Sequence, residues 1–271
     1  MLPEIKTLWI GGDLSRLERV CLASFIAHGH KVTLYTYGDV GNIPKGVVLE
    51  DANKIIDSSK VFQYGKATGN GKGSYAGFAN YFRYKMLYEN ENTYWVDTDV
   101  ICLKPFPNIE NITFGEESHD FINNAVIGTE KKFNHLFLEL CEYCENPFVI
   151  QTWDNWKIVL KKLYGRYYGR NHTDYIPWGL TGPKALTGFV RKLNLDYHTQ
   201  DSKKFYPIPS SDWKAIFYPD STGLLEEDLK DSFGLHLWNE HLRRNDIDKN
   251  KIFDRGSLYE KLISRLELEK Y

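Results

Sequence analysis

Apolar and polar positions along this chain switch repeatedly between strand and helix periods. Ile5 to Ile10 is a short apolar run closing on Gly11 and Gly12, the pattern of a strand ending in a tight turn. Leu14, Leu17, Cys21 and Phe25 follow at helical spacing, and Gly29 closes that helix. Lys31 to Tyr37 alternates as a second strand, and Val47 to Ala52 reads as a third. Strand, helix and strand in succession predict a parallel sheet. Ligands of such sheets sit beyond the carboxyl ends of the strands, near Trp9 and the residues after Tyr37. Trp9 fits a core position and a stacking platform equally well.

Further along, Phe78, Phe82, Met86 and Tyr88 mark a helix that carries Asn80 and Arg83 on one face. It enters the run Tyr94-Trp-Val-Asp97-Thr-Asp99-Val-Ile101, which reads as one buried strand. Phe121 to Gly128 predicts another strand, with Asn123 and Asn124 embedded in it. A helix follows from about Lys131 to Glu145. Residues 156–172 are basic and aromatic, with Lys157, Lys161, Lys162, Arg166 and Arg170. They read first as a solvated helix face and second as an acceptor or membrane-surface patch. Thr181-Gly-Pro183 opens a helix through Ala185, Leu186 and Phe189. Phe233 to Asn239 alternates as a strand with His236 and Trp238 on one face, and Leu258, Leu262, Ile263 and Leu266 mark a last amphipathic helix. The glycine-rich stretch 64–75 lacks the order of a P-loop, and its length suits a lid.

Composition narrows the class. The chain has 271 residues, 42% of them hydrophobic and 15% aromatic, enough for a substantial core. A formal charge of −2 gives no pull toward nucleic acid. Cys141 and Cys144 share an apolar helical stripe with Phe133, Leu136, Phe137 and Leu140, and no second ligand pair accompanies them, so the cysteines read as core residues. The first residues show no signal-peptide layout and no apolar run reaches the length of a membrane span. The expected setting is cytoplasmic, with peripheral contact at the inner membrane face as an added option.

The two aspartates carry the chemistry. Unpaired charges are too costly for a core strand, so Asp97 and Asp99 belong at a strand end facing a cation. Hard cations such as Mn²⁺ or Mg²⁺ take carboxylate oxygens and leave room for substrate phosphates. A solvated turn is the plainer reading of the same two residues.

Taken in order, Trp9-Ile-Gly11-Gly, Phe78-x-Asn80-x-x-Arg83-Tyr84, Trp95-Val-Asp97-Thr-Asp99, Thr181-Gly-Pro183 with Leu186-Thr187, and His236-Leu-Trp238 form a set. The set resembles the DXD-motif sugar-nucleotide glycosyltransferases of family 32 and of capsular polysaccharide synthesis. Its first three motifs also resemble the glucosyltransferase domains of clostridial toxins. The resemblance implies a GT-A fold, an α/β Rossmann-like mixed and mostly parallel sheet, over residues 1–240, with 241–271 as a helical extension on the same domain. It implies a nucleotide-diphosphate-sugar donor, a UDP-sugar first, a glycan or glycolipid acceptor, Mn²⁺ or Mg²⁺, and retention of anomeric configuration. By the same resemblance Trp9, with Gly11 beside it, would stack on the base, and Asn80 and Arg83 would hold donor sugar hydroxyls. Trp95 and Trp238 would line the donor site. Asp97, Asp99 and His236 would hold the metal, and Asn123 and Asn124 would lie near the reacting carbon. Two departures stand out: Ala79-Asn80 replaces the usual Ser-Asp, which removes a charge, and Glu91-Asn92-Thr93 replaces a Gly-Gly turn. Glu116, Glu117 and Asp120 are the nearby carboxylates that a covalent route would call on. Two other functions fit the same residues, a metal-dependent nucleotidyltransferase and a non-catalytic carbohydrate-binding protein.

Overall fold

The computed structural model describes residues 1–65, 72–132, 134–219 and 229–271. β1 (Glu4–Trp9) leads through α1 (Arg16–Ala27) to β2 (Val32–Thr36) and β3 (Val47–Asp51). Ser15 and Glu18 form a capping box at the start of α1. Gly29, at φ +83°, turns the chain out of the helix in a conformation that other residues rarely adopt. β1 pairs with β2 and β2 with β3, all in parallel, as the opening pattern predicts.

α2 (Ala76–Glu89) then precedes β4 (Thr93–Val96), β5 (Val100–Cys102) and the hairpin of β6 (Ile112–Ser118) and β7 (Phe121–Thr129). The helices α3 (His135–Glu145), α4 (Trp156–Tyr167), α5 (His172–Tyr175) and α6 (Pro183–Lys192) follow. β8 (Thr199–Gln200), α7 (Lys214–Phe217), β9 (Gly234–His236), α8 (Asn239–Arg244) and α9 (Leu258–Arg265) complete the order. Seven strands form one sheet in the order β3-β2-β1-β4-β7-β6-β8. β4 is parallel to β1, and β7 enters antiparallel to both β4 and β6. This is the mixed, mostly parallel, Rossmann-like sheet expected of a GT-A fold.

Side chains leave the sheet alternately into two cores. Tyr94 and Val96 enter one with α1 and α9, while Trp95 enters the other with α2, α3 and α6. Cys21, Cys102, Cys141 and Cys144 are buried free thiols, as the apolar contexts suggested. Among the described residues no helix is long and apolar enough to cross a membrane.

Three expectations need correction. The run Tyr94–Ile101 is not one strand. β4 stays in the large sheet, while β5 pairs with β9 in a separate two-stranded sheet. The Asp97 N–H donates to Ala125 O at 2.8 Å, and the Val100 N–H turns back to Asp97 O at 3.2 Å. Asp97 and Asp99 therefore occupy the turn at which the chain changes sheets. β9 ends at His236, and Trp238 is left-handed at φ +54°, so these two do not share a strand face. Lys162 is not solvated but fully buried. β6 had no counterpart in the sequence reading, because Gly115-Glu-Glu-Ser118 has the composition of a loop. Most of the glycine-rich stretch read as a lid, residues 66–71, lies outside the described residues, as does Phe133 of the cysteine stripe.

Candidate active site

At the sheet switch the two carboxylates meet an imidazole from β9. Asp97, Asp99 and His236 each offer a ligand atom, and these atoms lie within 4.8 Å of one another. β5 and β9 make this meeting by pairing Val100 with His236, and the Leu237 N–H donates to Asp99 O at 2.8 Å. Asp97 Oδ1 accepts from Arg83 Nη2 at 2.8 Å and from Trp95 Nε1 at 2.7 Å, leaving its other oxygen clear of both. Asp99 Oδ2 accepts from the Asn239 N–H at 2.9 Å and stands 3.2 Å from His236 Nε2.

Burial pushes the Asp97 carboxyl above its ordinary range, against the pull of Arg83 and with added repulsion from Asp99. Burial acts the same way on Asp99, but His236 and the Asn239 N–H outweigh it and hold Asp99 low. For His236, burial opposes the imidazolium, yet the attraction of Asp99 wins and raises it. Asp99 and His236 thus favour each other's charged forms, while Asp97 is held by Arg83.

The residues fit a divalent cation. Two carboxylates and an imidazole suit Mn²⁺, and the carboxylates suit Mg²⁺. The buried His236 Nδ1 has no hydrogen-bond partner among the described residues, so no second group orients the ring from that side.

A second group lies beside the first. Arg83 Nη1 donates to Asn124 O at 2.5 Å, and the Arg83 guanidinium stacks 4.9 Å from the Trp95 ring. Asn124 Nδ2 donates to Asn80 Oδ1 at 2.8 Å, while Asn80 Nδ2 reaches Thr181 Oγ1 at 3.4 Å. Gly182 closes this group from the start of α6. A Cβ there would stand 2.9 Å from Asn80 Nδ2 and 3.3 Å from Asn124 Nδ2, so the glycine is required by close approach. Asn80 therefore has protein partners at both ends of its amide. Asn123 Nδ2 donates to Glu117 Oε2 at 2.7 Å, and its Oδ1 accepts from the Ala125 N–H at 2.7 Å. The structure separates the three carboxylates of the hairpin. Glu117 is half-buried against Asn123, Glu116 caps the turn at Asp120, and Asp120 is exposed and paired with Arg191.

The tryptophans divide by exposure. Trp9 is half-buried at the carboxyl end of β1, with Nε1 donating to Gly12 O at 2.8 Å and Lys249 Nζ 5.1 Å over its ring. Gly11 beside it takes φ +150°. Trp95 is buried and reaches the site only through its indole N–H. Trp238 is buried, donates to Ile208 O at 2.9 Å, and its ring lies 4.2 Å from that of His236. Sequence reasoning missed Tyr206. It is buried, accepts from the Val126 N–H at 3.0 Å, and packs edge-on 5.8 Å from His236. It sits in an irregular aromatic stretch that offers no spacing signal.

Residues 170–266 match a family model described as the alpha 1,4-glycosyltransferase conserved region. Over that span the chain is similar to glycosyltransferases. The matched span contains Thr181–Pro183 and His236–Trp238, whereas Asp97 and Asp99 lie before it. Among curated proteins, the lactosylceramide 4-alpha-galactosyltransferases of Rattus norvegicus and Mus musculus are 28% and 29% identical over 157 residues. That alignment covers 54% of this chain but only 36% of theirs, so the chain spans little more than a third of these relatives' length. Among solved structures, the PaToxG glycosyltransferase aligns over 72% of each chain with 15% identity and a TM-score of 0.45.

Proposed function

We propose that this chain is a metal-assisted, retaining glycosyltransferase that moves a sugar from a nucleotide-diphosphate donor, a UDP-sugar first among them, to an acceptor hydroxyl. The observation that carries this reading is the convergence of Asp97, Asp99 and His236 at the sheet switch. The match of residues 170–266 to an alpha 1,4-glycosyltransferase region supports it independently. The names of the curated relatives favour a glycolipid acceptor.

The chemistry follows from charge. Leaving-group departure builds positive charge at the sugar and negative charge on the diphosphate. A cation held by Asp97, Asp99 and His236 supplies Lewis-acid stabilisation of that diphosphate when bound. The protein prepares the rest. Arg83 fixes Asp97 in place and adds a fixed positive charge beside it. Trp95 holds the same carboxylate oxygen from the other side. Asn80 positions Asn124, which together with Asn123 lines the donor sugar. Trp9, half-exposed at the strand end, offers the face on which a base stacks. In this reading the acceptor attacks from the face the diphosphate leaves, and a diphosphate oxygen takes its proton.

Asp99→Asn is the test. It keeps the shape and removes a ligand charge, so release of nucleoside diphosphate from the donor should fall by about a hundredfold or more. Near-normal release would remove the carboxylate from the mechanism, and release of pyrophosphate would point to nucleotidyl transfer instead.

A further inference from the structure

α4 carries its apolar stripe on the outside. Its inward side holds Lys162 and Gly165, both buried. Lys162 Nζ donates to Asp154 Oδ2 at 2.5 Å, Tyr143 OH at 2.9 Å and Val149 O at 2.8 Å. Gly165 lies under Phe148, where a Cβ would stand 2.4 Å from the ring. On the opposite side Trp156, Leu160, Leu163 and Tyr167 are 67%, 58%, 46% and 83% exposed. Their spacing of i, i+4, i+7 and i+11 makes one continuous stripe on a helix. Single exposed apolar residues are common, but a full stripe marks an interaction surface.

Charge selects what covers it. Residues 149–170 contain five Lys and Arg and a single acid, Asp154, which is spent on Lys162. Lys157 and Arg166 are exposed and flank the stripe on its two sides. Lys157 Nζ lies 5.5 Å from the Trp156 ring, and Lys161 Nζ lies 5.0 Å from that of Tyr175. Two copies of α4 joined stripe to stripe would set like charges along the seam, which opposes self-pairing. An anionic lipid surface satisfies every part. The aliphatic side chains enter the acyl boundary, Trp156 and Tyr167 sit at headgroup level, and the basic side chains meet lipid phosphates.

We propose that α4 is an in-plane anchor that seats this chain on an anionic bilayer. The inference does not depend on the transfer chemistry. It does place the site relative to the membrane. Trp153, just before α4, packs over Gly188 and 5.0 Å from Phe189 of α6, and the same helix starts at Gly182 against Asn80 and Asn124. α6 thus links the segment leading into α4 to the amide group beside the carboxylates.

The test is co-sedimentation of the full chain with phosphatidylcholine vesicles, with and without phosphatidylglycerol. The chain should pellet with the anionic vesicles only, less as salt rises. The triple change Trp156→Ser, Leu160→Gln and Tyr167→Ser should lose most of the bound fraction at unchanged thermal stability. Lys157→Glu with Arg166→Glu should lose it as well. A chain that stays in the supernatant, pellets equally with neutral vesicles, or is indifferent to both sets of changes overturns the proposal. So does a dimer that the apolar changes dissolve in the absence of vesicle binding.

Discussion

Gly182 shows how tightly the amide group beside the carboxylates is built. Adding one methyl would press on Asn80 Nδ2 at 2.9 Å, and the neighbouring Asn124 leaves no room to yield. Gly182→Ala should therefore cost about 1–3 kcal/mol of stability by overpacking. It should also lower turnover by about tenfold to a hundredfold, through displaced amides. Thermal unfolding and donor-release rates read the two effects separately, and a variant normal in both would detach α6 from the site. His30 makes a different point. Its Nδ1 hydrogen-bonds Pro3 O at 2.9 Å, and its Nε2 accepts from the Phe106 N–H at 2.9 Å, which requires a neutral ring. Burial lowers its pKa below the ordinary histidine value, although the Pro3 contact pulls the other way. The unfolded chain therefore takes up the proton first as pH falls. Stability from this group is complete above about pH 6.5 and is lost below it, on the order of 1 kcal/mol per pH unit until the folded ring protonates. Denaturant midpoints between neutral and mildly acid pH should show that slope, and His30→Gln should flatten it. An equal slope in the variant would assign it elsewhere.

At the scale of elements, periodicity reveals less about pairing than about type. β1, α1, β2, α2, β7 and α9 announce themselves through spacing of apolar residues, and their helix or strand character follows. The break at Asp97 does not, because Val96 and Val100 are equally apolar and only the pairing with β7 or β9 tells them apart. β6 escapes because its second half is polar, a strand whose Glu116 caps the hairpin turn and whose Glu117 holds Asn123 rather than entering a core. α4 misleads in the opposite direction. Its lysines look like a solvated face, yet Lys162 is the residue it buries. That burial is stabilising only while Asp154 stays charged beside it. Asp154→Ala should cost about 3–5 kcal/mol, since it strands a buried ammonium. Lys162→Met together with Asp154→Leu should recover most of that loss. Chemical denaturation of the two variants checks it, and a mild Asp154→Ala would mean that Tyr143 and Val149 suffice.

Across the whole molecule, the site is assembled from segments that no local pattern connects. Asn80 and Arg83 come from α2, the aspartates from the turn after β4, Asn123 and Asn124 from β7, Gly182 from the start of α6 and the imidazole from the end of β9. The motifs were legible one by one, and their order suggested a common purpose. Their meeting depends on the second sheet, which brings His236 back to Val100, and that pairing is invisible in spacing. The carboxy-terminal part also ties back to the first helix. Arg16 forks onto Glu260 at 2.7 and 2.9 Å, and Lys249 pairs with the buried Glu18. The central claim is that two acids and one imidazole together hold a divalent cation required for the donor. The most direct measurement is thermal stability of the wild type, Asp99→Asn and His236→Ala against nucleotide sugars, with and without Mn²⁺. The account predicts that a sugar donor raises the wild-type Tm only when Mn²⁺ is present, and that either substitution abolishes the rise. Stabilisation by donor without the cation, or an undiminished rise in both variants, would contradict it.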